Sequence, residues 1–311
     1  MSRRMLLFTR KTLRDCSSPK LLVAFLLPYL GLIVLFASGI TNLAPDNLGS
    51  LALFTQEQVL IELYSQIAFV LLTGFPMIFI GVLAAIVIAG ESESGTFELL
   101  LSKPVSRWEP LVGKYLGIVI FGFLTMVAGL LVGATAIYSF SGASAQAISG
   151  GIGVLLPGAL VYALVLSAFL TAVGTLFAVL TGSRLKTALV TAVIPVLFFA
   201  FIFVRLLPVG DTYEQFFLYV IDVNYHLGNL FMMIQETIGP GFNSETAGSF
   251  STISGVYDIT ETWTDPILGG IVGTVPLAGY VPPVVSSVLV LVLVVAVLAV
   301  AVYRFERMDI S

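Results

Sequence analysis

One cysteine and one histidine in 311 residues leave this chain short of ligands for most metal and redox chemistry. Cys16 has no second thiol to pair with, and neither a Cys pair nor a His-Glu-x-x-His run supplies zinc-ligand spacing. His226 stands alone in Asn224-Tyr225-His226-Leu227, where a packed or interfacial imidazole is a plainer reading than a ligand. A nucleotide-binding loop is missing too. Gly113-Lys114 is followed by Tyr115, and Trp108 stands where Gly-x-x-x-x-Gly-Lys-Ser/Thr needs its first glycine. Charge is scarce, at 10% of residues against 58% hydrophobic, which excludes a water-solvated surface for most of the chain.

Long apolar runs fill the space instead. Crossing hydrocarbon takes roughly 20 helical residues at about 1.5 Å each. Six segments are long enough, near residues 21–41, 66–90, 116–140, 154–181, 187–207 and 281–303. They are continuous in Leu, Val, Ile, Phe, Ala and Gly, without the alternation of a β-barrel, so the expected class is an all-α integral membrane protein with six transmembrane helices. Their interiors hold no Asp, Glu, Lys, Arg or His. Ion-coupled carriers keep such groups inside the bilayer, and a serine nucleophile would need a base there. Energy for any transport is therefore expected to enter from outside the membrane domain. Gly129 with Gly133, and Ser167, Thr171 and Gly174 with Thr175, suit close helix packing. Pro76, Pro157 and Pro195 are expected to kink or bound their helices.

Loop charges orient the spans. Six spans put both termini on one side, and that side collects thirteen of the fourteen Lys and Arg residues, leaving only Arg205 opposite. With seven acids on the basic side and eleven on the other, the two sides carry +6 and −10, and the positive one is read as cytoplasmic. The acidic exterior fits either a cation-rich, high-salt medium or ordinary loop acids where bases are depleted. Residues 1–20 mix Met5, Leu6, Leu7, Phe8 and Leu13 with bases, as a cytoplasmic interfacial segment would. The run from Leu21 is longer than a signal-peptide core and is read as the first span of a six-span domain over 21–311. Residues 208–280 form a large outer loop or re-entrant helices; Asp222, Asn224, His226, Asn229 and Gln235 make a seventh span implausible.

The inner loop between the second and third spans, residues 91–115, departs most from apolar filler. It reads Glu91, Glu93, Gly95-Thr96-Phe97-Glu98-Leu99-Leu100-Leu101-Ser102-Lys103-Pro104-Val105-Ser106-Arg107. Phe97 to Ser102 fit a short helix stopped by Lys103-Pro104, and Ser106-x-x-Glu109 has capping-box spacing for the next one. A surface helix held by two spans suits a groove in a soluble partner, and equally an interfacial turn.

That stretch, with Gly113-Lys114, resembles the ABC-2 class of ABC-transporter permeases, near the branch with copper-maturation and multidrug-type export permeases. The resemblance implies an ABC-2 (type V exporter-like) bundle with both termini cytoplasmic in the cell membrane of a prokaryote. It also implies a coupling helix over 91–107 docked on a separate cytoplasmic ABC ATPase. On that reading Phe97 and Leu100 supply apolar docking on the ATPase, and Gly95 and Thr96 belong to the same partner-binding stretch. Glu91, Glu93 and Glu98 meet basic groups of the ATPase, and Arg107 anchors to partner or lipid. The chain itself binds no cofactor; ATP is used by the partner, and the permease pairs with itself or a homologue and binds no nucleic acid. The expected function is ATP-driven export. The alternatives are a non-transporting anchor or mechanotransmitting scaffold for an ATPase, and a channel or secondary carrier.

Overall fold

Six helices are long and apolar enough to cross a membrane. They come from a computed structural model that describes residues 3–42, 44, 48–96, 106–206, 212–258, 263–264, 271–272 and 275–308. An amphipathic helix, α1 (Arg3–Cys16), precedes the spans. The first three spans are α2 (Pro19–Thr41), α3 (Leu53–Glu93) and α4 (Trp108–Ser141). The fourth divides at Gly151 into α5 (Ala145–Gly150) and α6 (Ile152–Thr181). The fifth breaks at Ala192 into α7 (Arg184–Thr191) and α8 (Val193–Leu206), because Pro195 has no N–H to return to the Thr191 carbonyl. Two further helices, α9 (Val223–Ile238) and α10 (Ser244–Ser254), precede the last span, α11 (Pro283–Glu306). A two-residue antiparallel ladder joins Trp263–Thr264 to Ile271–Val272, an isolated bridge joins Tyr257 to Leu277, and the other regular elements among the described residues are helical.

The helices outrun the apolar segments that mark them. α3 has 41 residues rather than the 25 or so of its apolar stretch, and at about 1.5 Å per residue it is about twice as long as a ~30 Å hydrocarbon core. Its first turns carry Gln56, Glu57, Gln58 and Glu62. A helix satisfies its backbone hydrogen bonds internally in water as in lipid, so hydropathy shows where a helix is greasy and not where it ends.

α3 and α6 form the interior. In the apolar window of α3, 72% of residues are buried, against 17% in α2 and in α11, which leaves those two helices facing outward. Phe69 of α3 meets Tyr162, Phe198, Phe231 and Phe250 at ring-centroid distances of 5.0 to 6.2 Å, joining α3, α6, α8, α9 and α10 in one aromatic cluster. Each such pair is worth about 0.5–1.5 kcal/mol beyond its buried area. Small residues make room elsewhere: a Cβ on Gly129 would lie 2.4 Å from the Tyr29 hydroxyl, so the glycine of α4 leaves the space that the Tyr29 side chain of α2 fills. α9 packs against α11, α6 and α8, with Asn224, His226, Asn229 and Gln235 buried. His226 is a packed histidine, with Nδ1 3.0 Å from Ser286 Oγ and Nε2 3.1 Å from the Val220 carbonyl.

Candidate functional site at the basic end of the bundle

α3 stops because Gly95 takes a left-handed conformation, φ 70°, in which its N–H donates to the Ser92 carbonyl at 3.1 Å. Any residue with a Cβ is strained there. Thr96 follows, its hydroxyl 2.8 Å from that of Ser94. The chain is next described at Ser106, and α4 begins at Trp108. The capping box expected from Ser106 and Glu109 does not form. Arg107 is the N-cap residue, already in helical conformation and without a side-chain cap, and only the Glu109 backbone N–H reaches the Ser106 carbonyl, at 3.0 Å.

α1 lies along the first turns of α4, and two glycines make room for it. A Cβ on Gly113 would sit 2.6 Å from Phe8 Cβ, and one on Gly117 would sit 2.6 Å from Thr12 Cβ. Met5, Thr9, Thr12 and Cys16 form the buried stripe of α1. This contact brings Lys11 over the end of α3.

The acids at that end meet bases of the same chain. Glu91 Oε1 is 3.0 Å from Lys11 Nζ, and Glu91 Oε2 is 2.5 Å from Lys114 Nζ. Lys114 is 2% exposed and also donates to the Val87 carbonyl at 2.7 Å. Glu93 lies 3.5 Å from Arg184 Nε, and the Arg184 guanidinium donates to the Gly90 carbonyl at 3.3 Å. The second pair is half exposed on both sides and contributes little. The Lys114–Glu91 pair is largely withdrawn from water, where losing one partner is costly, whereas Lys11 is half exposed. Across the loop, Arg107 donates to the carbonyls of Glu306 and Met308 at 3.0 and 3.2 Å, the arrangement a cation prefers at a helix C-terminus.

Of the eight residues singled out in the sequence, Glu91, Glu93, Gly95 and Thr96 lie together at the end of α3, and Arg107 lies at the start of α4 against the end of α11. Phe97, Glu98 and Leu100 lie outside the described residues. The sequence reading missed the bases Lys11, Lys114 and Arg184 as intrachain partners. One signal was available, since Lys114 is the one base of a helix whose only other charge is Glu109 in its first turn. Among the described residues no group of three His, Cys, Asp or Glu side chains is placed to hold a metal ion.

The opposite end holds a second charged cluster that the sequence did not announce. Arg205 pairs with Asp222 and donates to Asn224 Oδ1 and to the Ile253 carbonyl, both at 2.7 Å, so it ties α8 to α9 and α10. Tyr213 donates to Asp222 at 2.7 Å, and the Tyr225 N–H donates to it at 3.0 Å as the N-cap bond of α9. Burial pushes the Asp222 carboxyl above the usual carboxylate range, with Arg205 and the Tyr213 hydroxyl opposing.

No individual curated protein matches the chain. The family described as ABC-2 family transporter protein matches it over residues 15–310, from the end of α1 through all six spans. A six-span helical bundle whose conspicuous polar face is an interhelical loop, and whose sequence fits that family nearly end to end, belongs to the ABC-2 transporter family as a membrane-embedded permease.

Proposed function

We propose that this permease exports a substrate across the cell membrane using ATP hydrolysed by a separate cytoplasmic ABC ATPase docked on residues 91–107. The observation that carries the reading is the bracing of that loop. Its first end is tied through Glu91 and Glu93 to α1, α4 and α7, and its second through Arg107 to the end of α11. A push on a loop so held moves several helices as one body, which is what force transmission by docking requires. The excess of Lys and Arg at that end supports a cytoplasmic orientation for it and for both termini. Two permeases, identical or homologous, would flank a path whose access changes as the ATPases close.

Because Glu91 is engaged by Lys11 and Lys114, Glu98 is the acid we assign to the ATPase, with Phe97 and Leu100 as its apolar neighbours. Glu98→Lys and Phe97→Ala should leave membrane insertion intact and abolish permease-dependent ATP hydrolysis in the co-purified complex. Full coupling in both variants would remove the loop from the mechanism.

A further inference from the structure

Next to the loop, α3 is not a regular α-helix. Residues Ala85–Ala89 form a π turn in which the Gly90 N–H reaches back five residues to the Ala85 carbonyl. Such turns are wider than the α-helix, are disfavoured on their own, and persist where neighbouring groups hold them. Here the neighbour is the ammonium of Lys114, which comes from α4 and is nearly sealed from water. Two of its partners, the Val87 carbonyl, which accepts at 2.7 Å, and Glu91 Oε2, an ion-pair contact at 2.5 Å, are four residues apart on α3 and straddle the exit of the π turn. One buried donor group bridging both acts as a staple across the widened segment. The other Glu91 oxygen carries the connection on to Lys11, and so to α1.

A buried ammonium is tolerated only where its donors are met, so this geometry is strongly determined rather than incidental. We propose that Lys114 is a positioning residue that clamps the π turn of α3 and sets the angle at which α3 delivers the coupling loop, with Glu91 and Lys11 linking that angle to α1. The functional consequence, though not the clamp, rests on the coupling role proposed above for the loop.

The test uses the full chain with its ATPase in lipid nanodiscs, read by amide hydrogen exchange and by permease-dependent ATP hydrolysis. In Lys114→Met, residues 85–96 should exchange at least about tenfold faster, while residues 158–181 of α6 stay at the wild-type rate. Glu91→Gln keeps the Val87 contact and should give a smaller rise over the same segment. Unchanged exchange over 85–96 in both variants overturns the clamp. Should Lys114→Met fail to fold, the Glu91→Gln exchange decides alone. Faster exchange with wild-type coupling to the ATPase upholds the clamp and overturns the coupling role of the loop, so the two failures are distinguishable.

Discussion

Arg205 shows how much a single side chain can carry. It is the one base on the acidic side of the bundle, and it lies against a fully buried carboxylate. Replacing it by methionine strands Asp222 without its partner, for which about 3–5 kcal/mol is the usual cost. We expect Arg205→Met to lower the melting temperature of the detergent-solubilised protein by several degrees at pH 7.5. The loss should shrink on acidification: a carboxyl whose folded-state pKa is raised binds its proton more tightly when folded, so it favours the fold at low pH and opposes it as pH rises through that pKa. A deficit independent of pH would refute this account. Cys16 gives a second expectation. Burial, with the neighbouring Asp15 charge adding, pushes its thiol up to about 12. Alkylation at pH 8 should be about a thousandfold slower than for a free thiol until the protein is denatured, and rapid labelling of the native protein would contradict the packing of α1. The sequence marked both residues by scarcity alone. It did not give their surroundings, because Asp222, Asn224 and Ile253 are brought to Arg205 only by the folding of three separate helices.

At the scale of the element, α1 against α4 is the contact most open to test. Gly113 and Gly117 lie under Phe8 and Thr12 with no room for a Cβ, so Gly113→Leu or Gly117→Leu must displace α1 or distort α4. Limited trypsin digestion after Arg10, Lys11 and Arg14 should accelerate at least about tenfold in either variant, with the spans still protected. Equal digestion of wild type and variant would show that α1 does not depend on these glycines. The six apolar runs were legible because long hydrophobic helices announce themselves. The π turns of α3, at Ile67–Leu71 and Ala85–Ala89, and the true length of that helix were not, since the polar turns near Glu57 and Glu62 have no hydrophobic signature, and a π turn depends on what packs beside it.

For the whole molecule, orientation is the decisive quantity. A cysteine placed at Thr96 in a Cys16→Ser background should react with an impermeant maleimide only after the membrane is opened, while one at Glu245 should react in intact cells. The reverse pattern would invert the bundle and with it the proposed ATPase contact. Of the candidate site, the sequence marked the loop acids and Gly95. It left open that Glu91 is occupied from two sides by Lys11 and Lys114.

Composition and the order of apolar runs were enough to establish a six-helix membrane bundle without nucleotide or metal motifs, because the bilayer admits few ways of satisfying a backbone. The partners of Glu91, Lys114 and Arg205, and the seating of α9 among the spans, were decided only in three dimensions. A buried charge is stable at a place where its counter-charge and acceptors converge, and residues far apart in sequence converge only when the chain has folded.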